Sequence, residues 1–516
     1  MKTDKPTLTL RPDGRQAAFE KDTLLLDALF EMGVMVKTPC GGKGLCGKCA
    51  VRAEGGLSPR TGQEKKLFPG DENKRLACVT TLRGDASVWT ETADTPAHTV
   101  TRGIPVGPAY GIAVDIGTTT VQFSLVDLTS GETHRFPSFL NPQRRWGHDV
   151  ISRIAAAGGR DTAEQLTRTL RGAIESSVID TQKALSLPRA GLRALSFSGN
   201  TVMSYLLLGL DVAPIGVYPY TAAVRDFDGY DIPFAGIDGR PAKKVLPVAA
   251  SFLGGDLVGG LAVSDLAGYR ARTLFIDLGT NGELFLRNGG GEIHAASCAM
   301  GPALEGMNMS YGMTADEGAI GHLKAGPGGL VAEVLGEGPA LGICGTGIID
   351  AIALLLREGV IKPTGAFVTT EPGESLLFPD GVLNDGGTKR ARLAGEVFIS
   401  QKDIRNVQLA KGASLAAGRI LLREAGIPPE EIEHVLIAGA FGENLDIENF
   451  RALKFLPDFP NAEYVFLGNT SLTAAERACL SDDFLDHARA LRDRVTVVEL
   501  SKDPAFNDEF VRCLDF

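Results

Sequence analysis

Two segments 162 residues apart carry the same pattern, and the repeat constrains the chain more than any other feature. The first is Tyr110-Gly-Ile-Ala-Val-Asp115-Ile-Gly117-Thr118-Thr119-Thr120, followed by the strand-like Val121–Val126. The second is Thr273-Leu-Phe-Ile-Asp277-Leu-Gly279-Thr280-Asn281-Gly282-Glu283, followed by Leu284–Leu286. Each reads as an apolar strand ending in Asp, a turn of Gly and Thr, and a second strand. Such a turn presents backbone N–H groups and hydroxyls to phosphate oxygens. Its Asp suits Mg²⁺, which keeps several waters and takes few carboxylates. A third segment, His434–Gly442, reads as a buried strand entering the Gly-rich turn Gly439, Ala440, Phe441, Gly442. A flat adenine fits against backbone of that kind. Lys411-Gly412-Ala413 is expected to begin a helix lining the same site. One such turn alone is a weak signal, and the plain alternative is a pair of ordinary β-hairpins with Gly turns; the two copies and the third segment together favour nucleotide binding.

Eight cysteines are present, and four of them form the series Cys40, Cys46, Cys49 and Cys78, spaced C-x5-C-x2-C-x28-C. A [2Fe–2S] cluster needs four thiolates converging on two irons. Three ligands on one tight loop and a fourth from a distant strand satisfy this. Gly41, Gly42, Gly44 and Gly47 let the backbone approach the sulfurs and offer N–H groups to them. Upstream, Thr7–Leu10 and Gln16–Phe19 read as strands across Pro12-Asp13-Gly14. The next helix is expected to be capped by Asp22 or Thr23, to bury Leu25, Leu26, Leu29, Phe30 and Met32, and to stop at Gly33. The competing readings are a zinc site or free core cysteines. No CxxC…HxxxH grouping supports a zinc finger. Cys298, Cys344, Cys479 and Cys513 read as small buried residues.

The remaining composition is that of a globular protein: 516 residues, 44% hydrophobic, 22% charged, net charge -11. The acidic balance argues against nucleic acid, because no excess of cations displaces counterions from phosphates. The least charged stretch, Leu246–Val263, is broken by Asp256 and by Gly254, Gly255, Gly259 and Gly260. It does not meet the roughly 20 apolar residues of a membrane span. Met1–Pro6 has no apolar core for a signal peptide, so a cytoplasmic location is expected. Residues 1–92 carry a net charge of +3 while the remainder carries -14, which suits docking of the first module on its acidic neighbour. The expected division is a ferredoxin domain at 1–92, a linker at 93–109, a first lobe at 110–270 and a second lobe at 271–516.

The duplicated turns and the Gly-rich strand resemble the acetate and sugar kinase/Hsp70/actin (ASKHA) superfamily. That resemblance implies an α/β fold of two ribonuclease-H-like lobes closing on ATP. Cys40–Cys78 resembles an α+β β-grasp [2Fe–2S] ferredoxin; the first spacing, x5 rather than the plant-type x4, is similar to the adrenodoxin-like branch. Ferredoxin followed by such an ATPase looks like the reductive activators of corrinoid proteins. Further motifs carrying this likeness are Asn141-Pro142-Gln143, Gly147–Arg153, Ser198–Met203, Ser297–Gly306 and Gly345-Thr346-Gly347. The resemblance implies ATP-dependent reduction of a Co(II) corrinoid to Co(I) on a corrinoid-binding protein of a methyltransferase system. It also implies an upstream low-potential electron donor, and commonly self-association as a homodimer. From a cluster near roughly -400 mV the electron runs uphill. A gap of a few hundred millivolts costs ~5–7 kcal/mol, at about 2.3 kcal/mol per 100 mV. Differential binding of corrinoid states, set by nucleotide, can supply that order of energy.

Two residues are singled out for the reaction. Of Ser297 and Cys298, the two candidates to touch the cobalt face on a loop after the second hairpin, the resemblance favours Ser297; helix capping is its plain alternative. Asp149 either orients water or Mg²⁺, or caps a helix and pairs with Arg153. Asn200 either faces ligand or turns the chain. Competing functions are an ATP-coupled activator of another low-potential enzyme and a redox-sensing nucleotide switch. A small-molecule kinase has no use for an iron–sulfur module.

Overall fold

Five short strands near the N-terminus form one sheet in the computed structural model, which describes residues 5–90, 107–238, 240–368, 372–439 and 445–516. Strands β1 (Thr7–Arg11) and β2 (Gln16–Ala18) flank the turn at Gly14. Helix α1 (Leu25–Glu31) follows, then β3 (Ala50–Leu57), α2 (Gly62–Leu67), β4 (Lys74–Leu76) and β5 (Leu82–Trp89). The sheet order is β2-β1-β5-β3-β4, with β1 and β5 parallel. Leu25, Leu26, Leu29 and Phe30 are buried as the helical spacing predicts, while Met32 is half-buried. Each fully buried side chain of this size contributes about 1.5–3 kcal/mol. The cap is not Asp22 or Thr23 but Leu24, which makes no side-chain capping bond. The amides of Leu25 and Leu26 instead donate to the carbonyls of Thr80 and Ala77, so tertiary contact replaces the local cap.

The first lobe begins with β6 (Tyr110–Ile116), β7 (Thr120–Asp127), β8 (Thr133–Arg135) and β9 (Phe139–Leu140). A 3-10 turn at Pro142–Trp146 leads to α3 (Val150–Ala156) and the long α4 (Arg160–Ala184). Then come β10 (Leu192–Gly199), α5 (Thr201–Leu208), α6 (Ala213–Gly216) and β11 (Ala242–Val245). The main strand order is β8-β7-β6-β10-β11. The first three strands are antiparallel; β10 and β11 run parallel to β6.

After α7 (Gly255–Leu266), the second lobe repeats the design with β12 (Arg272–Leu278), β13 (Asn281–Asn288) and β14 (Ile293–Ala299). Its sheet runs β14-β13-β12 and continues with strands His434–Ala438 and Glu463–Gly468, both parallel to β12. An extra strand, Val495–Val497, joins at β14. Both lobes thus place strands in the order 3-2-1-4-5, the ribonuclease-H-like arrangement, so the expected duplicated α/β fold and its ferredoxin partner are both present. Apolar side chains of β12 and β13, including Leu274, Ile276 and Leu284, pack with Ile404, Val407 and Ile420 of helix Gln401–Ala425.

By packing, Met1–Leu246 with Ala475–Asp482 form one unit and Pro247–Ala474 with Asp483–Phe516 another. The expected boundary at residue 270 and this packing boundary do not coincide, because α7 packs against β13. The segment expected as a linker, 93–109, lies mostly outside the described residues.

Candidate functional site

All four cysteines of the N-terminal series are buried and free of disulfides. They stand as two pairs. Cys49 Sγ lies 3.2 Å from Cys78 Sγ, and the thiols of Cys40 and Cys46 hydrogen-bond each other. The bond from Cys46 pulls the Cys40 thiol down to about 5, against burial, with N–H groups of Cys46, Leu45 and Lys43 aiding. Sharing that proton and burial push Cys46 up; the pairing with Cys78 does the same to Cys49. A low thiol pKa favours the thiolate that ligates metal. Gly42, Gly44 and Gly47 all hold positive φ; at Gly44 a Cβ would stand 2.9 Å from Val79 Cγ1. No group of three or more His, Cys, Asp or Glu among the described residues is gathered for one metal ion. Two buried pairs are what a two-iron cluster requires, since each iron takes two protein thiolates. Cys78 sits in the turn after β4 rather than on a strand, and the residues present fit the group.

In the first lobe the turn joining β6 to β7 is held by three carbonyl contacts. Asn141 Nδ2 donates to Gly117 O at 2.8 Å, and the Asn141 amide donates to Thr119 O at 2.8 Å. The buried Arg153 guanidinium donates to Thr118 O. Asn200 caps α5 through Met203 N and donates to Thr118 Oγ1 at 2.8 Å. Gly117 is required here, because a Cβ would meet Thr120 O at 2.6 Å. Asp115 pairs with Gln122 on β7 and Ser198 on β10, so the three share one face of the sheet.

The second turn has a different lining. Asp277 stands opposite Glu283, and Glu283 opposite Ser297, so the three residues lie side by side across β12, β13 and β14. Burial raises the Glu283 carboxyl well above its ordinary value, with Asp256 of α7 and Asp277 adding charge repulsion. Beyond the turn at Gly279, Thr280 Oγ1 donates to Glu305 Oε1 at 2.8 Å, and Gly301 N donates to Thr280 O. Asn281 begins β13, and at Gly282 a Cβ would collide with Met300 Sδ at 2.4 Å. From sequence Asp256 reads only as a break in an apolar stretch, not as a site residue; its signal is an acid inside an apolar, Gly-rich helix.

Other expected residues fall in several places. Gly439 directly follows its strand with φ +133°, its amide donating to Gly468 O; Ala440, Phe441 and Gly442 lie outside the described residues. Lys411 does not begin a helix but sits midway along Gln401–Ala425, fully buried, donating to the Asp515 carbonyl. Burial and neighbouring Lys454 bring its amine down to about 8. Ser297 is not on a loop but within β14. Asp149 is the N-cap of α3, accepting from Ser152 N at 2.8 Å and Ser152 Oγ at 2.7 Å. Burial opposes its charge, yet these bonds hold its pKa below the ordinary value.

Among the described residues no helix is long and apolar enough to cross a membrane. Residues 8–83 match the 2Fe-2S iron-sulfur cluster binding domain, residues 110–268 the RACo middle region, and residues 271–516 the C-terminal domain of RACo, the ASKHA domain. The chain is 33% identical over 417 residues to the corrinoid activation enzyme RamQ of Eubacterium limosum, covering 78% of this chain and 70% of RamQ. It is 28% identical over 431 residues to the [Co(II) methylated amine-specific corrinoid protein] reductase of Methanosarcina barkeri, covering 76% of this chain and 74% of the reductase. Among solved structures, a reductive activator for corrinoid, iron-sulfur protein aligns with a TM-score of 0.72 at 27% identity, over 99% of this chain and 98% of its own. With paired buried thiols, duplicated turns and likeness of this extent, the chain belongs to the corrinoid activation family that joins a 2Fe–2S ferredoxin domain to an ASKHA domain.

Proposed function

We propose that this chain reductively activates a corrinoid-binding protein of a methyltransferase system, delivering one electron to convert Co(II) corrinoid to Co(I), with ATP binding and hydrolysis driving the step. The arrangement of four buried thiols as two pairs, on one chain with two phosphate-type turns, carries the reading. Likeness to RamQ supports the choice of substrate. When bound, a [2Fe–2S] cluster supplies a one-electron carrier. Cys40 and Cys46 would hold one iron and Cys49 and Cys78 the other. The backbone amides that reach Cys40 favour its anionic form. Asp115 and Gly117–Thr120 in one lobe, and Asp277 with Gly279–Gly282 in the other, bind phosphates. Asp277, the β12 carboxylate across from Glu283, would hold hydrated Mg²⁺. Gly439–Gly442 takes the adenosine. Ser297, half-buried in β14, is proposed as the residue that meets the substrate cobalt. An upstream low-potential donor replaces each electron spent.

The test is a mixture of cluster-loaded chain and Co(II) corrinoid protein under anaerobic conditions. Co(II) absorbance should decay only when reductant and ATP are both present. Decay that ignores ATP would remove the energy coupling; no decay under any condition would remove the function.

A further inference from the structure

The segment that braces the first phosphate turn also meets the ferredoxin domain. Gly117, Thr118 and Thr119 are three successive residues whose carbonyls are held by the Asn141 side chain, Arg153 and the Asn141 amide. Arg153 in turn donates to Gly147 O at 3.0 Å and to Gln143 Oε1 at 3.4 Å, closing the 3-10 turn onto α3. Three residues past Asn141, Arg144 lies over the cysteine loop: a Cβ at Gly42 would stand 3.4 Å from its Nη2. Arg145 pairs with Glu31 of α1 at 2.5 Å while its guanidinium sits 5.1 Å from the Trp146 ring. Asp27 of α1 also faces Arg144 and Arg145. At the edge of this contact, a Cβ on Gly33 would lie 2.6 Å from Ser176 Oγ of α4. The polarity is the reverse of the overall charges: an acidic ferredoxin patch meets arginines of the lobe.

We propose that phosphate occupancy of the Gly117–Thr120 turn is coupled to docking of the ferredoxin domain on the first lobe, through the segment Asn141–Arg153. The inference rests on the nucleotide reading above. Its physical basis is the planar peptide. The carbonyl of Gly117 and the N–H of Thr118 turn together, and the same holds for the next two peptides. A phosphate that draws those N–H groups toward itself rotates the three carbonyls that Asn141 and Arg153 hold. The brace must follow or resist, and Arg144 and Arg145 are its next residues. Contiguous hydrogen-bonded elements of this kind carry coupling between sites, and the coupling is reciprocal: docking must alter nucleotide affinity by the factor with which nucleotide alters docking.

The reciprocity gives the test. In the full, cluster-loaded chain, Glu31→Lys reverses the ion pair and Ser176→Trp wedges the contact. Neither residue belongs to the turn or to the cysteine set. Calorimetric titration with Mg²⁺ and adenylyl imidodiphosphate should show Kd displaced by about fivefold or more in both variants. Wild-type amides of residues 25–33 should change their hydrogen-exchange protection when the analogue is added. Visible absorption reports whether each variant keeps its cluster. Kd values within twofold of wild type, with exchange unmoved, overturn the coupling while nucleotide binding stands. A wild-type chain that takes up no analogue overturns the nucleotide reading and this inference with it.

Discussion

Glu64 and Arg75 meet inside the ferredoxin domain with Oε1 and Nε 3.0 Å apart and both side chains closed to solvent. The same carboxylate oxygen also accepts from Leu76 N and Thr80 Oγ1, the residues that bracket Cys78. Breaking a buried pair by removing one partner costs about 3–5 kcal/mol. Glu64→Ala should therefore lower the denaturant midpoint of the cluster's visible absorption and speed cluster loss. The pH dependence has a definite sign. Burial opposes the Glu64 charge, but bonds from Thr61, Arg75 and Leu76 outweigh it and depress the pKa. Its contribution is complete above the ordinary glutamate value near 4.3. It is lost as pH falls through the depressed value. Acid titration of wild type against Glu64→Gln checks this.

Cys46→Ala should abolish visible absorption of the reconstituted cluster while nucleotide binding persists. A surviving spectrum would show that the thiol pairs are not the ligands.

Asp277→Asn should slow ATP hydrolysis at least about tenfold and raise the Mg²⁺ needed for half-maximal rate. The cluster spectrum should not change. Removing this charge also relieves part of the repulsion that raises Glu283. Unchanged hydrolysis across a Mg²⁺ titration would take Asp277 out of the site.

Asp149→Ala should cost about 1 kcal/mol in stability, the usual loss of an N-cap, with ATP hydrolysis unaltered. Asp149→Asn should restore most of it, since an amide oxygen still accepts from Ser152 N. Thermal unfolding and steady-state hydrolysis measure the two effects.

Ser297→Ala should slow corrinoid reduction while hydrolysis in the absence of the corrinoid protein stays near wild type. A parallel loss of hydrolysis would tie Ser297 to Glu283 and Asp277, its cross-strand neighbours.

The cysteine loop and both hairpins were legible because their chemistry is local: residue type and spacing alone bring the groups together. Lys411 was expected to begin a helix, but the capping box of Ser400 and Asp403 marks the true start of that helix ten residues earlier. Ser297 lies in a run of Ala, Ser and Cys with little strand propensity, and only register with β13 fixes it there. Asp256 reaches Glu283 through the packing of α7, which no periodicity announces. The ferredoxin contact ran against net charge, because Asp27, Glu31, Arg144 and Arg145 act over a few ångströms while totals average over whole domains.

The repeated strand order sets two turns of like connection in unlike surroundings. The turn after β6 is surrounded by neutral amides and a guanidinium, and the turn after β12 by acids. A substitution in the lining of one turn therefore leaves the lining of the other untouched, so each can be altered without rebuilding the scaffold.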